Sequence, residues 1–159
     1  MVRRFYPGFL GVLFSSLAVL PVCPVSASEQ QQPSPESARE CARLSETYVT
    51  ERLAVWQQRL KLQDWKISVV MAHPSDLKPK TLGNIHWDAD KKSAVIRVLD
   101  ASDYRMGCHD MLDDMEFTVV HELIHLELSS LPRSEASRRD EEYAVNQIAD
   151  ALLALDRHK

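Results

Sequence analysis

The stretch from about Leu112 to Leu128 restricts most strongly what this chain can fold into. Its apolar residues recur at helical spacing around much of the helix surface, which predicts a buried helix: Met115, Val119, Val120, Leu123, Ile124 and Leu126. Three polar residues, His121, Glu122 and His125, interrupt this apolar helix. Burying them is costly without a partner such as a metal ion. The stretch therefore predicts a central helix that carries a site, with Asp110 or Asp113 as its cap.

The polar residues form the motif His121-Glu122-Leu123-Ile124-His125. Two histidines four residues apart project from the same face of a helix, about one turn from each other. Both imidazoles can then reach one tetrahedral zinc ion. Glu122 would lie beside the ion without being a ligand, where it can take a proton from water that the zinc activates. We expect one zinc per chain, held by His121 and His125, with Glu122 as the catalytic base.

A catalytic zinc site needs a third protein ligand, and no further histidine follows His125 closely. The next predicted helix runs from about Asp140 to Leu155 and carries Glu142 and Asn146 on one line of its surface. We expect Glu142 to be the third ligand and Asn146 to hydrogen-bond a ligand histidine. Glu141 remains the alternative ligand.

The remaining pattern predicts one helix and three short strands ahead of the central helix. Helical spacing extends from about Ser37 to Lys61, and strand patterns follow in 65–71, 82–87 and 94–99. The polar segment 88–92 has the length of a hairpin connection. A chain of 159 residues is long enough for one domain. We expect an α+β fold whose three- or four-stranded, mostly antiparallel sheet packs against the central helix.

The N-terminal segment has the pattern of a signal peptide. Arg3 and Arg4 precede the uncharged apolar run 9–20, and Val25-Ser26-Ala27 fits a cleavage site. The alternative is a membrane anchor, but the run is too short to span a bilayer comfortably. We expect export to a periplasm or to the outside, and the following division: signal peptide 1–27, flexible lead-in 28–36 and a single domain 37–159.

Cleavage after residue 27 would leave two cysteines, Cys41 and Cys108. In an oxidising compartment such a pair often forms a disulfide. The alternative is two separate buried thiols. We expect the disulfide, which would join the first helix to the loop before the central helix.

The composition limits the kinds of partner. The net charge of -4, without a run of Lys or Arg, argues against a nucleic-acid surface. We expect a peptide or protein substrate, no stable membrane anchor after cleavage, and a monomer.

The two predicted site helices, with HELIH followed by EEYAVNQIADALL, resemble the gluzincin branch of zinc peptidases, and most of all the minimal minigluzincins. The resemblance implies a zincin-like fold over most of residues 40–155. It also implies an edge strand that binds the substrate backbone through Gly83 and Ile85. Two features depart from larger gluzincins: there is no room for a second domain with a transition-state-stabilising residue, and Asn146 stands where an aspartate is common.

We therefore expect a small exported zinc metallopeptidase. The alternative is a module that keeps the fold and binds zinc or a partner without catalysis, and a third reading is a helical motif without metal. His86, His109 and Tyr104 are each candidates for the group that stabilises the oxyanion.

Overall fold

The computed structural model describes residues 35–132 and 134–158. The predicted signal peptide 1–27 and most of the predicted lead-in lie outside these residues. The fold class is α+β, as predicted, with three helices and three strands: α1 (Pro35–Arg59), β1 (Lys66–Ala72), β2 (Gly83–Asp88), β3 (Ser93–Leu99), α2 (Cys108–Glu127) and α3 (Glu135–Arg157). Within the described residues, no helix has the length and apolar character that crossing a bilayer requires.

The sheet is mixed, so the prediction of a mostly antiparallel sheet is wrong. Its strand order is β1-β3-β2. The hairpin makes β2 and β3 antiparallel, whereas β1 pairs with β3 in parallel. The reason is the connection 73–82, which carries the chain past the central position to the far side of the sheet. The returning strand β3 then fills the centre and runs in the same direction as β1.

The core forms around α2, where buried side chains of the sheet, α1 and α3 meet. Because β3 is the central strand, its side chains Ala94, Ile96 and Val98 are buried, and Ile96 is fully inaccessible. They pack against the apolar surface of α2, whose most deeply buried residues are Met115, Val119, Val120 and Leu123. The helix that carries the motif is thus fixed by the core of the molecule.

Both site helices begin earlier than predicted. Gly107 is the N-cap of α2, so Asp110 lies in the first turn and neither Asp110 nor Asp113 is the cap. Helix α3 begins at Glu135 because the Ser134 side chain accepts a hydrogen bond from the Ser137 backbone. Helix α1 begins at Pro35, two residues before the predicted start.

A disulfide joins α1 to the start of α2. The cysteine pairing is as predicted, but Cys108 is the first residue of α2 and not part of the loop before it. Cys41 and Cys108 are bonded, with their Cα atoms 5.9 Å apart. This pairing is consistent with an oxidising compartment.

A second connection between the helices is polar and lies inside the core. The buried carboxylate of Glu116 on α2 accepts hydrogen bonds from Trp56 Nε1 (2.6 Å), Arg52 Nε (2.6 Å) and Tyr48 Oη (2.8 Å), all on α1. Arg52 also donates to Asp156 on α3, at 2.9 Å. One arginine thereby ties all three helices together.

Candidate metal centre

Helix α2 brings the two motif histidines together. Their Nε2 atoms lie 3.1 Å apart. Their rings are arranged edge-to-face, with centroids 4.7 Å apart. His125 is buried and His121 is partly buried. The spacing of four residues thus places both imidazoles on the same face of α2, as expected from the sequence.

Helix α3 supplies a carboxylate to the same point. Glu142 Oε2 lies 3.4 Å from His121 Nε2, and Glu142 Oε1 lies 3.5 Å from His125 Nε2. Glu141 contacts the opposite side of a ring, with Oε1 3.0 Å from His125 Nδ1. The geometry thus separates the two candidate ligands: Glu142, not Glu141, meets both Nε2 atoms. His121, His125 and Glu142 form a group that could hold a metal ion.

Each motif histidine also has a partner at its outer ring nitrogen. Asn146 Oδ1 lies 3.0 Å from His121 Nδ1, and Glu141 plays the corresponding part for His125. An amide oxygen and a carboxylate oxygen are both acceptors, so each Nδ1 is the protonated, donating nitrogen. Each Nε2 then presents its lone pair to Glu142. Burial and the neighbouring imidazole lower the pKa of His121, which favours this neutral form.

Glu122 lies beside this group on the same helix and is only 7% exposed. Burial raises the pKa of its carboxyl to about 7; the negative charge of Glu142 adds to the shift and the Lys78 ammonium opposes it. A carboxyl group with a pKa near neutrality can both accept and release a proton.

Strand β2 runs past Glu122 at close range because it has a glycine there. A Cβ at Gly83 would lie 2.3 Å from Thr118 Cγ2, 2.7 Å from the Arg97 carbonyl oxygen and 3.7 Å from Glu122 Oε1. Any side chain at this position would push the strand away from α2. Gly83 therefore fixes how closely the edge of the sheet approaches the site.

Alternate residues of β2 direct their backbone N–H and C=O groups away from β3. Leu99 N donates to Leu82 O (2.8 Å), so Leu82 belongs to the set of residues that bonds to β3. In an antiparallel pair this set alternates. The backbone N–H and C=O groups of Gly83 and Ile85 therefore point away from β3. These are the two residues that the sequence analysis assigned to the edge.

A cleft of about 550 Å³ lies between β2, α2 and α3. Besides the residues already named, it is lined by Phe117, Trp87, Lys78, Lys80 and Arg138. Neither lysine was predicted to belong to the site. Their one signal in the sequence is that they come within five residues of Gly83, at the start of the edge strand.

None of the three residues considered for oxyanion stabilisation lines this cleft. Tyr104 contacts the cleft wall indirectly. Its hydroxyl donates a hydrogen bond to Asp114 Oδ2 (2.9 Å), and Asp114 lines the cleft. Burial and the Asp114 charge raise the pKa of Tyr104. His86 is exposed on β2, and the exposed His109 lies 3.7 Å from Asp113 Oδ1.

A second group that could hold a metal lies at the ends of the parallel strands β1 and β3. It comprises His73, Asp100 and Asp103. His73 Nδ1 is 2.8 Å from Asp103 Oδ2, and Asp100 accepts hydrogen bonds from Ser102. None of these three residues lines the cleft, and the pairing of His73 with Asp103 accounts for the arrangement.

Comparisons of this chain with protein-family models, with curated proteins and with solved structures give no match. Function is therefore inferred from the geometry of the cleft.

Proposed function

We propose that the protein is a zinc-dependent hydrolase of peptide bonds, with its centre at His121, His125 and Glu142. One observation carries this proposal: two imidazole lone pairs and a carboxylate meet with separations of 3.1, 3.4 and 3.5 Å. Three electron-rich groups at such distances repel each other unless a cation lies between them. Ligands about 2.0–2.1 Å from a tetrahedral ion are separated by roughly 3.3 Å, which agrees with these distances.

The donor set favours zinc over the harder cations. Imidazole nitrogens suit zinc, whereas calcium and magnesium prefer oxygen ligands throughout. Two histidines with one glutamate are a ligand set of catalytic zinc sites, which leave a position open to water or substrate. Zinc bound here would acidify water and polarise a carbonyl group.

The residues of the chain would do the rest of the chemistry. Asn146 and Glu141 orient the two imidazoles through their Nδ1 atoms, at 3.0 Å each. The Glu122 carboxylate would accept a proton from the attacking water and deliver it to the leaving amine. Its buried position excludes bulk water from that transfer.

A peptide is the substrate that the cleft fits best. The edge of β2 offers the backbone groups of Gly83 and Ile85, and an extended peptide can add to such an edge as a further strand. Gly83 brings this edge against Glu122. A peptide bond bound along β2 would therefore lie next to the proposed base and metal.

The disulfide also supports export. Cys41 and Cys108 form a bond that persists in oxidising compartments. With the predicted signal peptide 1–27, this favours a periplasmic or secreted protein.

The test of metal dependence is hydrolysis of a mixed peptide pool, followed by mass spectrometry. We expect purified protein with one zinc per chain to cleave internal or terminal peptide bonds, chelation to abolish cleavage, and added zinc to restore it. Full activity after complete removal of metal would contradict the proposal.

One observation favours a second candidate, a zinc-binding or partner-binding module without catalysis. His86, His109 and Tyr104 all lie outside the cleft lining, so none of them is placed to stabilise an oxyanion. Such a module would bind zinc equally well. Turnover separates the two functions, because only the hydrolase would release cleaved peptide.

A further inference from the structure

A tight turn with two lysines forms one end of the cleft. The Lys78 carbonyl accepts hydrogen bonds from Thr81 N (3.1 Å) and Thr81 Oγ1 (2.9 Å), which closes the turn 78–81. Pro79 occupies its second position, and Lys80 follows with a φ of 67°. Turns of this kind favour glycine or asparagine after the proline. The chain therefore has a long cationic side chain where the backbone would favour glycine.

The ammonium groups of Lys78 and Lys80 have no ion-pair partner within the described residues. Both side chains are exposed and line the cleft. The acidic groups of the cleft wall have other neighbours: Glu141 and Glu142 lie against the histidines, and Asp114 accepts from Tyr104. The two lysines thus present positive charge to whatever enters.

The position of the turn relative to β2 indicates which end of a bound peptide would lie near the lysines. The turn precedes Gly83, at the N-terminal end of the edge strand. A peptide added antiparallel to β2 would run with its C-terminal half toward this end. Since Gly83 lies next to Glu122, the cut bond would be near Gly83 and the following residues would extend toward the lysines.

We propose that Lys78 and Lys80 form a subsite for a substrate carboxylate on the C-terminal side of the cut bond. The inference rests on the proposed function and adds the substrate class: peptides with an acidic residue, or a free C-terminus, just after that bond. Both sources offer the same carboxylate, and the experiment separates them.

The experiment measures binding to zinc-loaded protein with Glu122→Gln, so that the ligand stays intact. The probes are three hexapeptides: acetyl-AAAEAA-amide, acetyl-AAAQAA-amide and acetyl-AAAQAA with a free carboxylate. We expect the glutamate peptide, the free-acid peptide or both to bind about five-fold more tightly than the neutral one, as partly exposed ion pairs allow. The preference should fall with added salt. Equal affinity for all three peptides would overturn the subsite.

Lysine variants in the same background assign the preference to the turn. Lys78→Gln and Lys80→Gly should each reduce it, and the double variant should abolish it. Lys61→Gly is the matched control for Lys80→Gly, because Lys61 also has a positive φ, of 56°, and lies outside the cleft lining. Lys66→Gln is the control for loss of an exposed lysine. A preference that survives in the double variant would contradict the assignment.

A hydrolysis assay on the wild-type protein distinguishes failure of the hydrolase proposal from failure of the subsite proposal. If the carboxylate preference is present but no peptide is cut, the hydrolase proposal fails, and Lys78 and Lys80 remain a carboxylate-binding site of the cleft. If peptides are cut without enrichment of Asp, Glu or a free terminus after the cut bond, and binding shows no preference, the subsite fails and the hydrolase stands.

Discussion

At the scale of single residues, the two neighbouring glutamates of α3 occupy different positions around one histidine. Glu141 lies 3.0 Å from the outer nitrogen of His125, whereas Glu142 lies 3.5 Å from the inner one. The first contact orients the ring and the second faces the proposed ion. The spacing of Glu142 and Asn146 predicted which residues share a helix line. It could not distinguish Glu141 from Glu142, because that depends on the rotation of α3 against α2.

These two positions lead to different expected losses of zinc affinity. Glu142→Gln removes a charged ligand and should weaken binding more than 100-fold, whereas loss of an outer partner in Glu141→Gln should cost about 10–100-fold. Competition with a chromophoric chelator measures both. Glu127→Gln, at an exposed position of α2, is the control and should leave affinity unchanged. A larger loss for Glu141→Gln than for Glu142→Gln would reverse the assignment.

The buried Glu122 carboxyl predicts a pH dependence of stability in protein stripped of metal. Its pKa is about 7 in the folded state, against an ordinary value of 4.5, so the folded state holds its proton more tightly. Below pH 4.5 both states are protonated, and ionisation costs nothing. Between pH 4.5 and 7 the wild type loses stability relative to Glu122→Gln, because only its unfolded state ionises.

Above pH 7 the difference should level off at about 3 kcal/mol in favour of the variant. Urea unfolding of both metal-free proteins at pH 4, 6 and 8 measures it. A difference that stays constant across this range would show that burial does not hold the proton on Glu122.

At the scale of elements, the site depends on how closely the edge strand β2 packs on α2. Gly83→Ala would place a Cβ 2.3 Å from Thr118 Cγ2 and 2.7 Å from the Arg97 carbonyl oxygen. Because the second contact is with backbone, the strand must shift. We expect a loss of about 1–3 kcal/mol in the free energy of unfolding and a loss of peptide binding.

Gly107→Ala is the control for an added methyl group without a backbone clash, because a Cβ there meets only Asp110 Oδ2, at 3.7 Å. Alanine at this N-cap of α2 should cost about 0.5–1 kcal/mol by itself but leave peptide binding unchanged. Chemical denaturation of both variants is the measurement. If Gly83→Ala were as stable as the control and bound peptide normally, the close approach would not be required.

The sequence predicted the elements better than their pairing. Alternation located all three strands to within one residue at each end, because half-buried strands leave that pattern. It could not give the parallel pairing of β1 with β3, since that depends on where the connection 73–82 takes the chain. Helix α3 starts early because the Ser134 side chain caps it. The sequence did not indicate this start, because the segment is polar and has no apolar residues at helical spacing.

At the scale of the whole molecule, a disulfide and a buried carboxylate reinforce the apolar packing of α1 against the rest of the core. The disulfide Cys41–Cys108 closes a sequence separation of 67 residues, and Glu116 accepts three donors from α1. The cysteine pairing was predictable because only two cysteines remain after the predicted cleavage. The buried carboxylate was not, since nothing in the sequence near Glu116 indicates its partners, which lie 60 to 68 residues earlier in the chain.

Removal of the disulfide by Cys41→Ser with Cys108→Ser should destabilise the protein by about 4 kcal/mol, the loop-closure value for this separation. The reason is the larger conformational freedom of the unfolded chain. Denaturant unfolding with and without reductant measures the loss, and wild type under reductant should match the double variant. Equal stability of the oxidised wild type and the variant would mean that the bond contributes nothing.

We propose Glu122 as the base of a zinc-dependent peptide hydrolysis. The most direct test of this role is the hydrolysis rate of the wild-type protein and of Glu122→Gln, both at one zinc per chain. Since the carboxamide cannot accept the proton, we predict that the variant keeps its zinc and its fold and loses at least 100-fold in rate. A variant that cleaves peptides as fast as the wild type would contradict the account.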